Sequence, residues 1–303
     1  MNDDPDSFFA GRRILLVGLG LMGGSLALAL GGKGAELFAI DPDPATRRLA
    51  LERRIVDHIV PDFEAFADPV DVIILAAPVR SIIEHIHFLG DRARRTPQST
   101  GLNRSGSTIV LDLGSTKHEI VEAMKTLPEQ FDPIGGHPMC GKEISGLVNA
   151  EAAIFHGATF AFTTLERTSS VARAFAGKLA AATGAVPLWT DPNTHDRWVA
   201  ATSHMPYLLA NALAGVTPLE SAPLVGPGYR STTRLAESSL PVMLDILETN
   251  RQPVLEALHR FQDRLEALEK SLAEDDFHAL SDLLASAAQS HQSLVRSSER
   301  KSG

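Results

Sequence analysis

The sequence predicts an α/β fold: a doubly wound parallel sheet with helices on both faces, followed by an all-helical C-terminal domain. In the first part of the chain, short apolar runs of strand length alternate with helical patterns. This alternation is typical of a parallel sheet, because parallel strands are joined by helical crossovers. Strand signals stop near Asp191, and long helical patterns follow. A chain of 303 residues suits two domains, which we place at residues 11–190 and 191–303.

Each predicted strand is a short apolar run that ends at polar residues, glycine or proline. The predicted strands are Ile14–Val17, Glu36–Ile40, Asp71–Ala76, Thr108–Leu113, Thr159–Thr164 and Ala185–Trp189. The helices predicted between them are Leu21–Leu30, Pro44–Arg54, Arg80–Leu89 and Thr116–Met124. Apolar residues at helical spacing indicate the third of these helices, and the pair Gly31-Gly32 closes the first.

The C-terminal part carries an apolar seam that steps by four and three residues alternately. Its members are Val254, Leu258, Phe261, Leu265, Leu268 and Leu272. This spacing predicts a long helix packed on another helix, either within the chain or across a subunit interface. A second helix is predicted from Phe277 to Leu294.

Composition excludes several classes of function. The net charge of -9 disfavours nucleic acid as a partner, but a small anionic substrate can still be held by local basic groups. The single cysteine, Cys140, cannot form an intrachain disulfide, which fits a cytoplasmic protein. The uncharged stretch Ile14–Gly32 is rich in glycine, so we interpret it as strand, turn and helix rather than a membrane span.

The glycine turn, residues 18–23, has the pattern G-x-G-x-x-G between the first strand and the first helix. Gly18 permits a tight turn, Gly20 lets a pyrophosphate approach the backbone, and Gly23 allows close packing of helix and strand. The helix N-terminus offers free N–H groups and a partial positive charge to phosphates. The pattern predicts a Rossmann-type dinucleotide site, to which Leu21 and Met22 also belong.

Asp41 follows the second strand at the position where an acid accepts hydrogen bonds from a ribose. A carboxylate there repels a 2′-phosphate, so we favour NAD over NADP, although Arg47 and Arg48 lie close by. The alternative role for Asp41 is a helix N-cap. Pro78, which ends the strand Asp71–Ala76, is counted among the cofactor-binding residues.

Three later segments carry polar groups suited to catalysis. Ser115 follows a strand, and the carboxyl ends of strands face the ligand crevice in such sheets. His137 lies between a glycine pair and a proline, from which we predict a fixed irregular backbone and a placed acid or base. His204 lies within a helical pattern, and Arg234 follows in a segment rich in glycine, serine and threonine.

At this point the sequence resembles a known family. The segments that carry the resemblance are, in order, GLGLMGGSLA, DLGSTK, GGHPMCGKE, ATSHMPY and GPGYRSTTRLA, within about Arg13 to Glu269. They resemble the prephenate/arogenate dehydrogenases. The resemblance implies an NAD-dependent enzyme of tyrosine biosynthesis, which oxidises prephenate with loss of CO2 to give 4-hydroxyphenylpyruvate. It also favours a homodimer formed through the helical domain.

The resemblance implies a role for each candidate residue. His137 accepts the proton of the ring hydroxyl, and Ser115 orients that hydroxyl. Arg234 binds a substrate carboxylate with its planar guanidinium. His204 holds the other end of the substrate, and Glu143 matches an acid that gates access or tunes the pH response.

The residues by themselves are also compatible with purely structural roles. His137 and His204 also suit structural histidines, Arg234 a surface ion pair, and Ser115 an N-cap for the helix that follows. The other histidines, His195 among them, lack ligand-like spacing, and we predict no metal site. The sequence departs from the family that it resembles at Met243, where many relatives carry a tryptophan, so the substrate preference is expected to depend on that position.

Three rival functions remain on sequence grounds. Arogenate differs from prephenate by an amine in place of a keto group. A 3-hydroxyacid dehydrogenase also has a Gly-x-Gly-x-Met-Gly turn, but relies on a catalytic lysine with a nearby asparagine, which the sequence does not show. A nucleotide-sensing regulator would keep the glycine turn and Asp41 without needing His137, Ser115 and Arg234 together.

Overall fold

The computed structural model describes residues 8–66, 69–95, 107–142 and 144–299. One eight-stranded sheet forms its centre, in the order β3-β2-β1-β4-β5-β6-β7-β8. The strands β1 to β8 are Arg13–Val17, Glu36–Ile40, His58–Val60, Val72–Leu75, Thr108–Asp112, Phe131–Pro138, Thr159–Thr164 and Val186–Trp189. The helices α1 to α5 between them are Leu21–Leu30, Pro44–Glu52, Val79–Arg95, His118–Lys125 and Ser170–Thr183.

The doubly wound sheet predicted from the sequence is confirmed. β1 pairs in parallel with both β2 and β4, so the strand order reverses at this point. A ligand crevice opens at such a reversal, outside the carboxyl ends of the strands. The junction of β6 with β7 is antiparallel, and the other neighbouring pairs of this sheet are parallel.

The irregular backbone predicted at His137 is wrong, because His137 lies inside β6. The preceding glycines serve close packing between strands. A Cβ added at Gly135 would clash with the Thr163 hydroxyl on β7, and one at Gly136 would lie 2.7 Å from the Asp112 carbonyl on β5. The short strand β3 was also not predicted.

The core lies in two layers, one on each face of the sheet. Along β1, Ile14 and Leu16 enter one cluster, while Leu15 and Val17 enter the other. This alternation follows from the two-residue period of a strand. Because both faces are covered by helices, the sheet strands are apolar on both sides rather than alternating with polar residues.

The C-terminal part of the structure is helical. The helices α6 to α11 are Pro192–Val199, Met205–Val216, Pro227–Thr233, Leu240–Thr249, Arg251–Ala273 and Phe277–Glu299. A π-helical turn, Ala200–His204, joins α6 to α7. Val254 of the predicted seam is buried against Ala200, but Leu265 and Leu272 are 53% and 56% exposed in the single chain. Within the described residues, every helix is too short or too polar to cross a membrane.

Candidate active site

One cleft lies where the carboxyl ends of β1, β4, β5 and β6 face the π-helical turn and α9. Its volume is about 700 Å³, within the range of small-molecule sites. The predicted site residues that line it are Gly20, Leu21, Met22, Pro78, Ser115, His137, His204 and Met243. Residues far apart in the sequence thus meet at the point where the strand order reverses.

The glycine turn has the geometry that its sequence requires. Gly18 has φ of 97°, and a Cβ added there would lie 2.5 Å from the Ala76 carbonyl oxygen. A Cβ at Gly23 would clash with the carbonyl of Gly18. At Gly20, by contrast, no atom of the described residues lies within 4 Å of an added Cβ. The turn is therefore packed tightly at both ends and open in the middle, next to the N-terminus of α1.

Asp41 ties the end of β2 to the glycine turn. Its buried carboxylate accepts hydrogen bonds from the backbone N–H of Leu19 at 2.7 Å and of Asp43 at 2.9 Å. The N-cap of α2 is Asp43, which accepts from Ala45 and Thr46, so the interpretation of Asp41 as the cap is wrong. Each oxygen of Asp41 keeps a further lone pair for a ligand hydroxyl.

His137 is the first member of a hydrogen-bonded chain that leads away from the cleft. Its Nδ1 lies 2.9 Å from Nε2 of His195, and Nδ1 of His195 lies 2.7 Å from Oδ1 of Asp196. Asp196 also accepts from the backbone N–H of Lys117 at 2.7 Å and of His118 at 2.8 Å. Burial is the main cause that lowers the pKa of His137 well below its ordinary value. The ring is thus neutral at neutral pH and able to accept a proton.

His195 and Asp196 were not among the site residues predicted from the sequence. They lie on α6, after the N-cap Asp191, whereas His137 lies on β6. A contact across 58 residues leaves no periodic signal. The sequence shows only an adjacent His-Asp pair in the first helix beyond the sheet. The structure shows that both side chains are buried, which distinguishes them from surface residues.

His204 is held at the last residue of the π-helical turn. Its Nδ1 lies 3.1 Å from the side-chain amide nitrogen of Asn250, which also donates to the backbone carbonyl of Asp196 at 2.8 Å. Burial, with the charge of His195, lowers the pKa of His204 to about 4, against an opposing effect of Asp196. A π-helical turn is frequent at functional sites.

Ser115 is half-buried at the cleft, directly after β5. It is not the N-cap of α4, since that helix begins at His118 and its cap residue is Lys117. Below it lies a fully buried ion pair between Lys117 and Asp112. Lys117 Nζ donates to the Gly136 carbonyl at 2.6 Å, and Asp112 accepts from Gly136 N–H at 3.1 Å. The pair therefore fixes the ends of β5 and β6 beside Ser115 and His137.

The remaining predicted residues differ in their placement. Met243 lines the cleft from α9. Arg234 is exposed in the single chain, and its neighbour Leu235, rather than Arg234 itself, lines the cleft. Glu143 lies outside the described residues, between Lys142 and Ile144, which both line the cleft. The roles of Arg234 and Glu143 stay predictions.

Two other chemistries find no support at the cleft. Within residues 8–66, 69–95, 107–142 and 144–299, no three His, Cys, Asp or Glu side chains come together as metal ligands. Cys140 lines the cleft, but burial raises the pKa of its thiol to about 11. A thiol of such high pKa carries little of the thiolate that a nucleophile requires.

The fold and the cleft define a two-domain protein with a Rossmann-type nucleotide site. Family comparison agrees and is more specific. Residues 26–187 match the family model of the prephenate dehydrogenase nucleotide-binding domain, and residues 191–286 match that of the prephenate dehydrogenase dimerization domain. The chain therefore belongs to the prephenate dehydrogenase family, a family of oxidoreductases, and not to the 3-hydroxyacid type.

Individual relatives show the same likeness. A prephenate dehydrogenase of Bacillus subtilis is 30% identical over 85% of this chain and 68% of its own length. A prephenate dehydrogenase from A. aeolicus, solved with hydroxyphenyl propionate and NAD+, has 25% identity and a TM-score of 0.82 over 94% of this chain and 99% of that one. The arogenate dehydrogenase of Synechocystis has 26% identity and a TM-score of 0.77 over 93% and 99%.

Proposed function

We propose that this chain is an NAD-dependent prephenate dehydrogenase, which converts prephenate to 4-hydroxyphenylpyruvate on the route to tyrosine. The observation that carries the proposal is that His137, Ser115 and His204 share one cleft with the glycine turn. Oxidation of a ring carbinol needs a hydride acceptor at its carbon and a proton acceptor at its hydroxyl oxygen. A relative of known structure was solved with NAD+ and a hydroxyphenyl compound together, which supports this pairing.

The residues of the glycine turn fit a dinucleotide. Gly20 is open to a pyrophosphate, and the free N–H groups at the N-terminus of α1 complement its charge. The carboxylate of Asp41 accepts from ribose hydroxyls and disfavours a 2′-phosphate, which supports NAD over NADP. When bound, NAD supplies the hydride acceptor.

The chain supplies the proton acceptor and the orientation. His137 is neutral at neutral pH because burial lowers its pKa, so it accepts the proton of the ring hydroxyl. Ser115 hydrogen-bonds the same hydroxyl and directs its proton at the imidazole. His204, neutral above its pKa of about 4, donates a hydrogen bond without adding charge. Removal of the hydride leaves a conjugated ketone, which accepts the electron pair released with CO2 as the ring becomes aromatic.

We propose that the helical domain, residues 191–303, forms a homodimer. Leu219 and Leu224 are 87% and 88% exposed in the single chain, and exposed apolar residues of this size are typical of an interface. The description of the matching family domain as a dimerization domain supports this. We propose that Arg234, close to the cleft at Leu235, binds a substrate carboxylate in the dimer, and that the enzyme works in the cytoplasm.

Arogenate is the second candidate substrate. The structural likeness to the Synechocystis arogenate dehydrogenase is nearly as strong as that to the A. aeolicus enzyme. Met243 lines the cleft, so it is a residue at which a preference between the two substrates can be set.

The test is the formation of NADH, followed by absorbance, with prephenate and with arogenate as alternative substrates. His137→Asn removes the proton acceptor, so we expect kcat to fall about 10²–10⁴-fold while NAD binding persists. His87→Asn is the matched control, since His87 is exposed on α3 away from the cleft.

Each outcome separates the candidates. Faster turnover of arogenate than of prephenate would reassign the substrate. NAD binding without turnover of either would identify a nucleotide sensor instead of an enzyme. Equal kcat in His137→Asn and His87→Asn would refute the assignment of His137.

A further inference from the structure

The chain of hydrogen bonds behind the cleft has a direction, which Asp196 sets. A carboxylate only accepts hydrogen bonds, and Asp196 accepts from the main-chain N–H of Lys117 and His118. The third contact, at 2.7 Å from Nδ1 of His195, must therefore be an N–H of His195. The neutral form of an imidazole carries one N–H, so in that form Nε2 of His195 is left as an acceptor.

The position of the hydrogen on His195 determines the position of the hydrogen on His137. Nε2 of His195 faces Nδ1 of His137 at 2.9 Å. An acceptor needs a donor opposite it, so the hydrogen of a neutral His137 lies on Nδ1. The lone pair of His137 is then on Nε2, for which no partner is found among the described residues, at the edge of the cleft.

A second series of hydrogen bonds starts at the backbone carbonyl of Asp196 and gives His204 the opposite tautomer. That carbonyl accepts from Nδ2 of Asn250, which fixes which end of the amide is the nitrogen. The same nitrogen lies 3.1 Å from Nδ1 of His204, so Nδ1 must accept. The hydrogen of a neutral His204 is therefore on Nε2.

We propose that His195 and Asn250, both anchored on Asp196, are positioning residues that hold the two cleft histidines in opposite tautomers. His137 offers a lone pair at Nε2 and is the proton acceptor, whereas His204 offers an N–H at Nε2 and is a hydrogen-bond donor. The assignment of the acceptor rests on the proposed function, but the tautomers themselves do not. In the reaction, the O–H bond of the substrate breaks and an N–H bond forms at Nε2 of His137, while its Nδ1–H stays bonded to His195.

The direct test is ¹⁵N NMR of the histidine rings in the full-length protein near neutral pH. A ring nitrogen that carries hydrogen and one that carries a lone pair have well-separated shifts. We expect hydrogen on Nδ1 of His137 and on Nε2 of His204, assigned by comparison with His137→Gln and His204→Gln. Hydrogen on Nε2 of His137, or on Nδ1 of His204, would overturn the proposal without need of any activity.

Two variants test the positioning roles. His195→Phe keeps a planar aromatic ring but removes the acceptor, so the hydrogen of His137 is no longer confined to Nδ1, and we expect kcat to fall about 10–100-fold. The KM for NAD should stay within about twofold. Asn250→Ala should free the tautomer of His204 alone, leaving the NMR signals of His137 as in the parent protein.

The conservative variant His195→Gln provides the rescue. Its amide oxygen can accept from His137 and its amide nitrogen can donate to Asp196, so we expect it to recover most of the kcat lost in His195→Phe. A tautomer of His137 and a kcat both unchanged in His195→Phe would refute the role of His195. If the parent protein turns over neither prephenate nor arogenate, the proposed function fails, while the NMR result still decides the tautomers.

Discussion

The buried ion pair between Lys117 and Asp112 allows the stability loss of a variant to be predicted. Lys117 and Asp112 are both fully buried, and Lys117 also bonds the Gly136 carbonyl next to His137. Lys117→Met keeps an unbranched chain of similar length but leaves the Asp112 carboxylate with only the N–H donors of Gly114 and Gly136. Removing one partner of a buried pair costs about 3–5 kcal/mol. For domains of this size we expect the Tm to fall by roughly 6–20 °C.

The pH dependence of this loss has a defined sign. Burial raises the pKa of Asp112, and Lys117 is the main group that opposes this. Without Lys117 the pKa of Asp112 rises further, and a carboxyl with a raised pKa in the folded protein destabilises it at high pH. The deficit in Tm relative to the parent protein should therefore shrink as the pH falls towards the ordinary pKa of Asp, 3.8.

Thermal unfolding followed by circular dichroism measures this effect at several pH values. The matched control is Lys125→Met, which removes an exposed lysine that pairs with Glu122 and should leave the Tm almost unchanged, because solvent screens exposed pairs. Equal losses of Tm in the two variants would refute the reasoning, as would a deficit for Lys117→Met that does not change with pH.

Three further predictions concern the cofactor, the proton acceptor and the interface. Asp41→Asn keeps the shape of the side chain but loses its charge. In steady-state kinetics the KM for NAD should rise about 10–100-fold, and the ratio of kcat/KM for NAD to kcat/KM for NADP should fall. Burial lowers the pKa of His137 well below its ordinary value of 6.5, so kcat/KM should stay level as the pH falls through 6.5 and decline only below it. Leu224→Glu puts a charge on an exposed apolar position of the helical domain, so light scattering should detect monomer in place of dimer.

Each of these has a contrary result. An unchanged ratio of NAD to NADP activity in Asp41→Asn would remove Asp41 from the cofactor site. An acidic limb of the kcat/KM profile centred above 6.5 would mean that His137 is not the group that titrates. A Leu224→Glu protein that remains a dimer would move the interface elsewhere in the helical domain, and Leu51→Glu, on the exposed face of α2, is the control.

Local signals sufficed for much of the fold. Leu21–Leu30 and Thr159–Thr164 have the predicted bounds, because each is an apolar run bounded by glycine or polar residues. The glycine turn could be assigned because its constraints are local, as the φ of Gly18 and the packing of Gly23 confirm. A run of three residues such as β3 is too short for periodicity to register.

The strand β6 was missed because its composition argues against a strand. Proline and glycine are depleted in strands, and the sequence FDPIGGHP contains two of each. Here packing overrides propensity, since only glycine lets β6 approach β5 and β7 so closely. The partners of His137 and His204 were missed for another reason. Such contacts join distant parts of the chain, and no spacing rule within one element predicts them.

His137 and His195 lie on different halves of the molecule, so their hydrogen bond forms only when the two halves dock. His137 belongs to the sheet, whereas its hydrogen-bond partner belongs to the first helix beyond it. A chain whose sheet has formed before the helices dock already contains the glycine turn, but its His137 lacks the hydrogen bond that fixes the tautomer. If His137 is the proposed proton acceptor, docking of the helices completes it, and a chain in which only the sheet has folded is expected to bind nucleotide without oxidising substrate.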